Sequence, residues 1–189
     1  LGERRQLNPG SPGGAVFDLA LAPLEPVDMH WQAGDVAEIG PRHGPATVET
    51  WLAMTGLSGE AIVNRDGNDD DPMTLAQLAA GSRLPAADTV SGKTGQEIAA
   101  DLQPLPHRAY SIASTPAEGS LRLLVRQVCH PDGALGIGSG WLTAHSAAGD
   151  RIDVRIRRNP GFHVPADDRP LILIGNGTGL AGLRALLHA

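Results

Sequence analysis

The chain has 189 residues, of which 41% are hydrophobic and only 3% aromatic, so we expect a buried core built from aliphatic side chains. A net charge of -6 argues against a nucleic-acid or an anionic-membrane surface. The single cysteine, Cys129, excludes an internal disulfide and a cysteine-based zinc cluster. No apolar run approaches the roughly 20 residues of a membrane span, and no signal-peptide pattern is present. Because the sequence starts without methionine and stops within a predicted helix, we expect it to be part of a longer protein.

Two short strands are predicted near the start of the chain. In residues 15–21, Phe17, Leu19 and Leu21 share one face of a half-buried strand. Residues 34–41 predict a second strand, which opens at Gly34 and closes at Pro41.

The middle of the chain, residues 45–103, is predicted to be a helical insertion between two strand-rich parts. Val48, Trp51 and Leu52 have the i, i+3, i+4 spacing of a short helix, and a glycine follows it. Residues 64–72 are polar and predict a loop. Two further helices begin with the spacing of a capping box, at Thr74 with Gln77 and at Thr94 with Glu97.

The last third of the chain predicts more strands and a final helix. Residues 120–128 and 151–158 alternate apolar and charged side chains, which is typical of antiparallel strands with one solvated face. Cys129 is expected in a strand, as a structural thiol. Residues 169–175, RPLILIG, are continuously apolar and predict a strand buried on both faces, followed by a helix at 180–189.

Residues 108–115, RAYSIAST, contain the only tyrosine of the chain. In a strand, Arg108 and Tyr110 project to the same side, so a cation and an aromatic ring share one surface. Arg108 has the chemistry to pair with a phosphate, Tyr110 to stack on a flat ring, and Ser111 to hydrogen-bond a heteroatom. An ordinary exposed sheet face explains the same pattern.

Two glycine-rich turns precede predicted helices. Residues 175–179, GNGTG, follow a strand and open a helix, where glycines let a phosphate approach the backbone and the helix N-terminus offers free N–H groups. In residues 134–145, Gly136, Gly138 and Ser139 precede an apolar patch, and Ser139 is expected to cap a helix or donate to a phosphate. Tight turns without a ligand are the alternative for both.

Other nucleotide and metal sites fit the sequence less well. Gly92, Lys93 and Thr94 match the end of a P-loop, but Ala87 stands where that motif requires glycine. Residues 64–72 are acidic but lack EF-hand spacing. The seven histidines show no metal-ligand spacing, and most of them are expected at the surface. No metal site is therefore predicted.

In this order, the motifs resemble the ferredoxin–NADP reductase superfamily. They are Arg-x-Tyr-Ser at 108–111, Gly-x-x-Ser at 136–139 and Gly-x-Gly-Thr-Gly at 175–179. Residues 31–43 and the FHVP segment at 162–165 make the chain more similar to the diflavin branch, which contains sulfite reductase flavoproteins and microsomal cytochrome reductases. The resemblance covers nearly the whole chain. It departs at His130, where relatives have a tyrosine near the adenine, and at Gly182, where they have proline.

The resemblance implies an FAD site. Arg108 would hold the pyrophosphate, Tyr110 would lie against the isoalloxazine, and Ser111, the expected catalytic residue, would reach the redox-active ring nitrogen. The further cofactor-binding residues that it implies are Ala109 on the same strand, Leu124, Val125 and Arg126 on a second strand, His130 near the adenine, Gly136, Ile137, Gly138 and Ser139 at a second phosphate turn, and Gly175, Gly177, Thr178 and Gly179 at the NADP pyrophosphate.

The fold that the resemblance implies is mainly β. An antiparallel Greek-key FAD-binding barrel would occupy residues 1–168, including the helical insertion, and residues 169–189 would begin a Rossmann-like NADP domain. NADPH would give a hydride to FAD, and electrons would pass to a flavodoxin-like FMN domain or another carrier. The expected location is the cytoplasm, either free or within a larger membrane-associated protein. A flavin fold that serves as a non-catalytic interaction or structural module is the alternative.

Overall fold

A computed structural model describes residues 1–24, 30–65, 72–167 and 169–189 of the chain. The chain divides into two compact units: unit 1 contains Leu1–Gly40 and His107–Ala189, and unit 2 contains Pro41–Pro106. The strands are β1 (Glu3–Gln6), β2 (Val16–Leu21), β3 (Val36–Gly40), β4 (Ile62–Val63), β5 (Met73–Thr74), β6 (Arg108–Ser111), β7 (Leu121–Arg126) and β8 (Asp153–Arg157). The α-helices are α1 (Pro45–Thr55), α2 (Leu75–Ala80), α3 (Gly95–Asp101), α4 (Ile137–Gly140) and α5 (Leu180–Leu187).

Unit 1 contains two antiparallel sheets of three strands each. Their strand orders are β1-β2-β7 and β6-β3-β8. The strands predicted within residues 15–21, 34–41, 120–128 and 151–158 are therefore confirmed, and all of them pair antiparallel with their neighbours.

The core of unit 1 lies between alternating side chains of these strands. Leu19 of β2 lies opposite Leu123 of β7, and both side chains are fully buried. Trp31 and Trp141 join the aliphatic residues in this core, so the expectation of a purely aliphatic core is wrong at two positions. The remaining buried core residues are Leu21, Ala37, Ile39, Ile112, Leu121, Val125 and Leu142.

The solvated face of β8 carries the charges that its alternation predicts. Arg155 and Arg157 both donate hydrogen bonds to the Glu38 carboxylate on β3. These donors, Arg155 first, hold the pKa of Glu38 below its ordinary value. The other face of β8, with Val154 and Ile156, packs against the core.

Unit 2 has the predicted helices and caps. The helix α1 buries Val48, Trp51 and Leu52, as their spacing predicts, and ends at Gly56. Both capping boxes are formed: each threonine side chain accepts from the backbone N–H three residues later, and the partner side chain accepts from the threonine N–H. These pairs are Thr74 with Gln77 at α2 and Thr94 with Glu97 at α3.

The fold class differs from the expectation of a mainly β chain. The described residues are 31% helical and 22% strand, because unit 2 is helical and unit 1 adds α4 and α5. No closed barrel is found in the part of the chain that the structure describes. The sheets meet where Ile112 forms a single bridge with Leu123. A Greek-key barrel and a domain boundary at residue 168 both stay predictions.

The prediction of a buried strand at 169–175 is wrong. These residues have no regular secondary structure, and the Ile172 and Ile174 side chains are 88% and 87% exposed. A parallel strand needs a hydrogen-bonded neighbour. Among residues 1–24, 30–65, 72–167 and 169–189, no strand pairs with this segment, so its apolar side chains have nothing to pack against on two faces.

Two further expectations concern the ends of segments. The strand predicted at 120–128 ends at Arg126, so Cys129 lies beyond it and is exposed, with only an isolated bridge to Leu135. Most of the acidic loop at 64–72 falls outside the described residues.

Among the residues that the structure describes, no helix has the length and the apolar character that crossing a membrane requires.

Candidate functional site

The face of β6 that carries Arg108 and Tyr110 lies against α4. A Cβ added at Gly138 would lie 2.7 Å from Arg108 Cγ and 2.8 Å from Tyr110 Oη. Only a residue without a side chain leaves room for both neighbours at this approach. The structure therefore brings two of the predicted motifs together, Arg-x-Tyr-Ser on β6 and Gly-x-x-Ser on α4.

Arg108 and Tyr110 differ in their exposure to solvent. Arg108 is exposed, and within the described residues no carboxylate forms an ion pair with it. Tyr110 is half-buried and packs on the core of unit 1. Burial raises the pKa of the Tyr110 phenol, against a smaller lowering by the Arg108 guanidinium. The pair thus combines a cation available to an anionic ligand with a neutral aromatic ring.

The turn that opens α4 has a different cap from the predicted one. Gly136 is the N-cap, and Ser139 lies inside the helix and is buried, so the expectation that Ser139 caps the helix is wrong. The Ser139 Oγ accepts from the Val128 N–H at 3.0 Å and donates to the Gly136 carbonyl at 3.3 Å. Ser139 therefore connects this turn with the segment that follows β7. Ile137, in the same turn, is half-buried.

The predicted strand residues 124–126 lie at the end of β7. Val125 is buried in the core, Leu124 is half-buried and Arg126 is exposed. The Arg126 Nη1 donates to the Gly14 carbonyl at 3.0 Å. Its Nη2 lies 3.3 Å from the position of a Cβ added at Gly177. Arg126 therefore connects β7 with the glycine-rich loop at residues 175–179.

The glycine-rich loop at residues 175–179 leads directly into α5. Gly177–Gly179 form one 3-10 turn, and α5 begins at Leu180. Gly175 packs on the helix, since a Cβ added there would lie 2.6 Å from Leu183 Cδ1. Thr178 is half-buried and the other loop residues are exposed. The turn-then-helix part of the predicted motif is confirmed, whereas the preceding strand is absent.

The helix α5 lies beside Ser111. A Cβ added at Gly182 would lie 3.6 Å from Ser111 Cβ and 3.0 Å from Phe162 Cε1. Arg184 anchors the helix, because it donates to the Ala113 carbonyl and to the Glu118 carboxylate. Ser111 and Ala109 are both exposed on β6.

His130 lies in a separate, exposed turn. Its carbonyl accepts a hydrogen bond from the Gly133 N–H, which closes this turn.

A buried carboxylate next to this region was not among the predicted site residues. Asp35 is 2% exposed and accepts from the Gln32 N–H, the Asn159 N–H and the His163 Nε2. Burial would raise its pKa, but the His163 bond and the two backbone donors together lower it. The available signal was the Gly34-Asp35 pair. Two of its three donors, Asn159 and His163, are however more than a hundred residues away, and most histidines were expected at the surface.

A cavity of about 400 Å³ opens beside this carboxylate. Its lining includes Trp31, Gln32, Thr115, His163 and His188. The predicted cofactor-binding residues do not line it, so the β6–α4 site is a surface site rather than this cavity. Among the described residues, no group of histidine, cysteine and acidic side chains has the arrangement of a metal site.

No family model matches the chain, but several curated proteins are similar to most of its length. The sulfite reductase (NADPH) flavoprotein alpha-component of Neisseria meningitidis serogroup C is 37% identical over 208 residues, which cover 85% of this chain and 34% of the relative. The protein of that name from Yersinia enterocolitica is 29% identical over 205 residues, with the same two coverages. The one from Sodalis glossinidius is 30% identical over 181 residues, covering 87% of this chain and 29% of the relative.

These relatives match 85–87% of this chain, and this similarity is consistent with the diflavin-reductase branch of the ferredoxin–NADP reductase superfamily. Within that branch, the relatives reported above are all flavoprotein alpha-components of NADPH sulfite reductase. The chain spans about a third of the length of these relatives.

Proposed function

We propose that the chain is the FAD-binding domain of an NADPH-dependent flavoprotein reductase. The convergence of three motifs in unit 1 carries this proposal. Arg108 and Tyr110 of β6 meet Gly138 of α4, while Ser111 lies beside Gly182, in the helix that the third motif opens. The names of the relatives, which specify a flavoprotein and NADPH, support the same function.

The residues at β6 and α4 fit a flavin dinucleotide. The exposed Arg108 guanidinium would form charge-assisted hydrogen bonds with the pyrophosphate. Ile137 and Gly138 would offer backbone N–H groups at the same place, whereas the Gly136 N–H already donates to the Val128 carbonyl at 2.9 Å. Tyr110 would lie against the isoalloxazine ring, because its neutral aromatic ring can stack on another flat ring.

Ser111 and the end of β7 would hold the reactive part of the cofactor. Ser111 is exposed at the last position of β6 and has a hydroxyl that can hydrogen-bond the redox-active ring nitrogen. Leu124, Val125 and Arg126 would contact the ring through their backbone. FAD would supply the redox chemistry, and these residues would orient it and exclude water from it.

The glycine-rich loop at residues 175–179 would bind the pyrophosphate of NADP(H). Gly175, Gly177, Thr178 and Gly179 precede the N-terminus of α5, whose dipole favours an anionic group, while the Gly179 N–H itself donates to the Asn176 carbonyl at 3.0 Å. The relatives are about three times as long as the part that this chain matches. In a protein of that kind, electrons from NADPH would leave through a flavodoxin-like FMN domain or another carrier. The corresponding location is the cytoplasm.

An absorption spectrum of the purified chain, with chromatography of the released cofactor, tests this proposal. One FAD per chain is expected, and dithionite should bleach its visible band. NADPH should bleach it far more slowly than it reduces a complete reductase, because residues 169–175 do not build the sheet on which a dinucleotide crevice depends. A chain that takes up no flavin after reconstitution would instead be a non-catalytic module.

A further inference from the structure

Phe162 is a partly exposed aromatic side chain that lies close to Ser111. It is 42% exposed and ends the short turn Pro160–Phe162, yet its ring lies against the buried Gly182 of α5. A Cβ added at Gly182 would lie 3.0 Å from Phe162 Cε1, 3.7 Å from Phe162 Cδ1 and 3.6 Å from Ser111 Cβ. The ring and Ser111 are therefore neighbours across the glycine.

The backbone of Phe162 is held in this position by the segment before β3. Gly34 has a φ of +101°, and a Cβ added there would lie 2.1 Å from the Phe162 carbonyl oxygen. Asp35 accepts from the Asn159 N–H at 2.9 Å and from His163 at 2.6 Å, on the two sides of Phe162. The Phe162 N–H in turn donates to the Asn159 carbonyl at 2.9 Å. Four residues thus fix the turn that presents the ring.

We propose that Phe162 covers the Ser111 side of the bound flavin and limits the access of small solutes to it. This inference rests on the proposed function, since it requires FAD at β6. Because Gly182 has no side chain, the ring can pack closely on α5 on the side where Ser111 lies, and a larger residue at this position would push it outward. Phe162 is a positioning residue in this role: it excludes solvent from the cofactor without reacting with it.

The test uses the FAD-loaded chain and dithionite, a small reductant. Stopped-flow bleaching of the flavin band gives a second-order rate constant for the parent, Phe162→Ala and Phe162→Leu. The rate constant should rise by about twofold or more in Phe162→Ala, since the ring that excluded solvent is gone. It should rise less in Phe162→Leu, which keeps an apolar side chain. Val164→Ala, an exposed neighbour in the same segment, should match the parent.

Gly182→Ala provides an independent measurement of the same contact. The added methyl group lies 3.0 Å from the ring and forces it away, so this variant should also be reduced faster. In the Phe162→Ala background the same substitution should have no further effect, because the two residues act through one contact.

The outcomes separate this inference from the proposed function. A flavin-loaded Phe162→Ala chain that reacts with dithionite at the parental rate overturns the cover and leaves the FAD domain intact. A parent that binds no FAD overturns both. An unchanged FAD affinity and midpoint of thermal unfolding, measured alongside the faster bleaching, would show that the effect is local.

Discussion

Asp35 and His163, which are 128 positions apart in the chain, are joined by a hydrogen bond of 2.6 Å between Oδ1 and Nε2. The Asp35 side chain is 3% exposed and that of His163 is 17% exposed, so water competes little for this bond. The same carboxylate accepts from the backbone at Gln32 and at Asn159. One buried side chain therefore connects the segment before β3 with the turn after β8.

Replacing Asp35 by asparagine should destabilise the chain in a pH-dependent way. Loss of a charged acceptor with three donors should lower the free energy of unfolding at pH 7 by about 1–3 kcal/mol. The pKa of Asp35 lies below its ordinary value of 3.8. The stabilisation is therefore complete above about pH 3.8 and is lost as the pH falls through the lowered pKa.

Urea unfolding at neutral and acid pH measures this difference. The gap between the parent and Asp35→Asn should narrow below about pH 3.8. Asp153→Asn, with a side chain that is 76% exposed, is the control and should change the free energy of unfolding by less than about 0.5 kcal/mol. A gap that is constant down to the acid transition would mean that the charge of Asp35 contributes nothing.

Arg108→Ala should weaken FAD binding. A charge-assisted phosphate contact is worth roughly 1.5–3 kcal/mol, so the dissociation constant should rise by about ten- to a hundredfold. Fluorescence titration of the apo chain with FAD gives this constant. Arg151→Ala, another exposed arginine of unit 1, is the matched control. Equal affinities in the parent and Arg108→Ala would exclude Arg108 from the site.

Gly138→Ala tests the close approach of α4 to β6. The new methyl group would lie within 3 Å of both Arg108 and Tyr110, so one element has to move. FAD affinity should fall by about tenfold or more, because a displaced contact of this kind is worth at least about 1.5 kcal/mol. Gly161→Ala is the control, since an added Cβ there has no neighbour within 4 Å. If both variants bind FAD alike, the packing at Gly138 is irrelevant to the cofactor.

Tyr110 should act through its ring rather than its hydroxyl. Tyr110→Ala should weaken FAD binding and raise the fluorescence of the bound flavin, because a stacked quencher is removed. Tyr110→Phe should behave almost as the parent does. Steady-state emission at saturating FAD distinguishes the two variants, and a phenylalanine variant as defective as alanine would assign the effect to the hydroxyl.

The features that could be predicted from the sequence are those that depend on neighbouring residues. The capping boxes at Thr74 and Thr94 are formed by side chains three residues apart, so their partners are visible in a short window. The alternation in β7 and β8 predicts their buried and solvated faces for the same reason. The likeness of Arg108, Tyr110 and Gly138 to a known family predicted one cofactor site for all three, whereas their direct contact came only from the structure.

The features that could not be predicted depend on distant partners. Residues 169–175 have the composition of a buried strand, but burial requires other strands that composition does not report. Ser139 has the residue type of a helix cap, yet Val128 determines where its hydroxyl bonds. The contact between Phe162 and Gly182 needs two segments that only the fold brings together.

The register between β3 and β6 has a consequence for how unit 2 is inserted into unit 1. Ile39 lies opposite Arg108, so the polypeptide leaves unit 1 after β3 and returns to it at an adjacent position. For the sheet, the whole of Pro41–Pro106 is one connection between two hydrogen-bonded strands. Because this segment is a compact unit with its own buried core, the sheet requires only that its two ends return to neighbouring strands. Gene rearrangement could therefore lengthen, shorten or exchange this segment while the strand pairing that supports Arg108 and Tyr110 is kept.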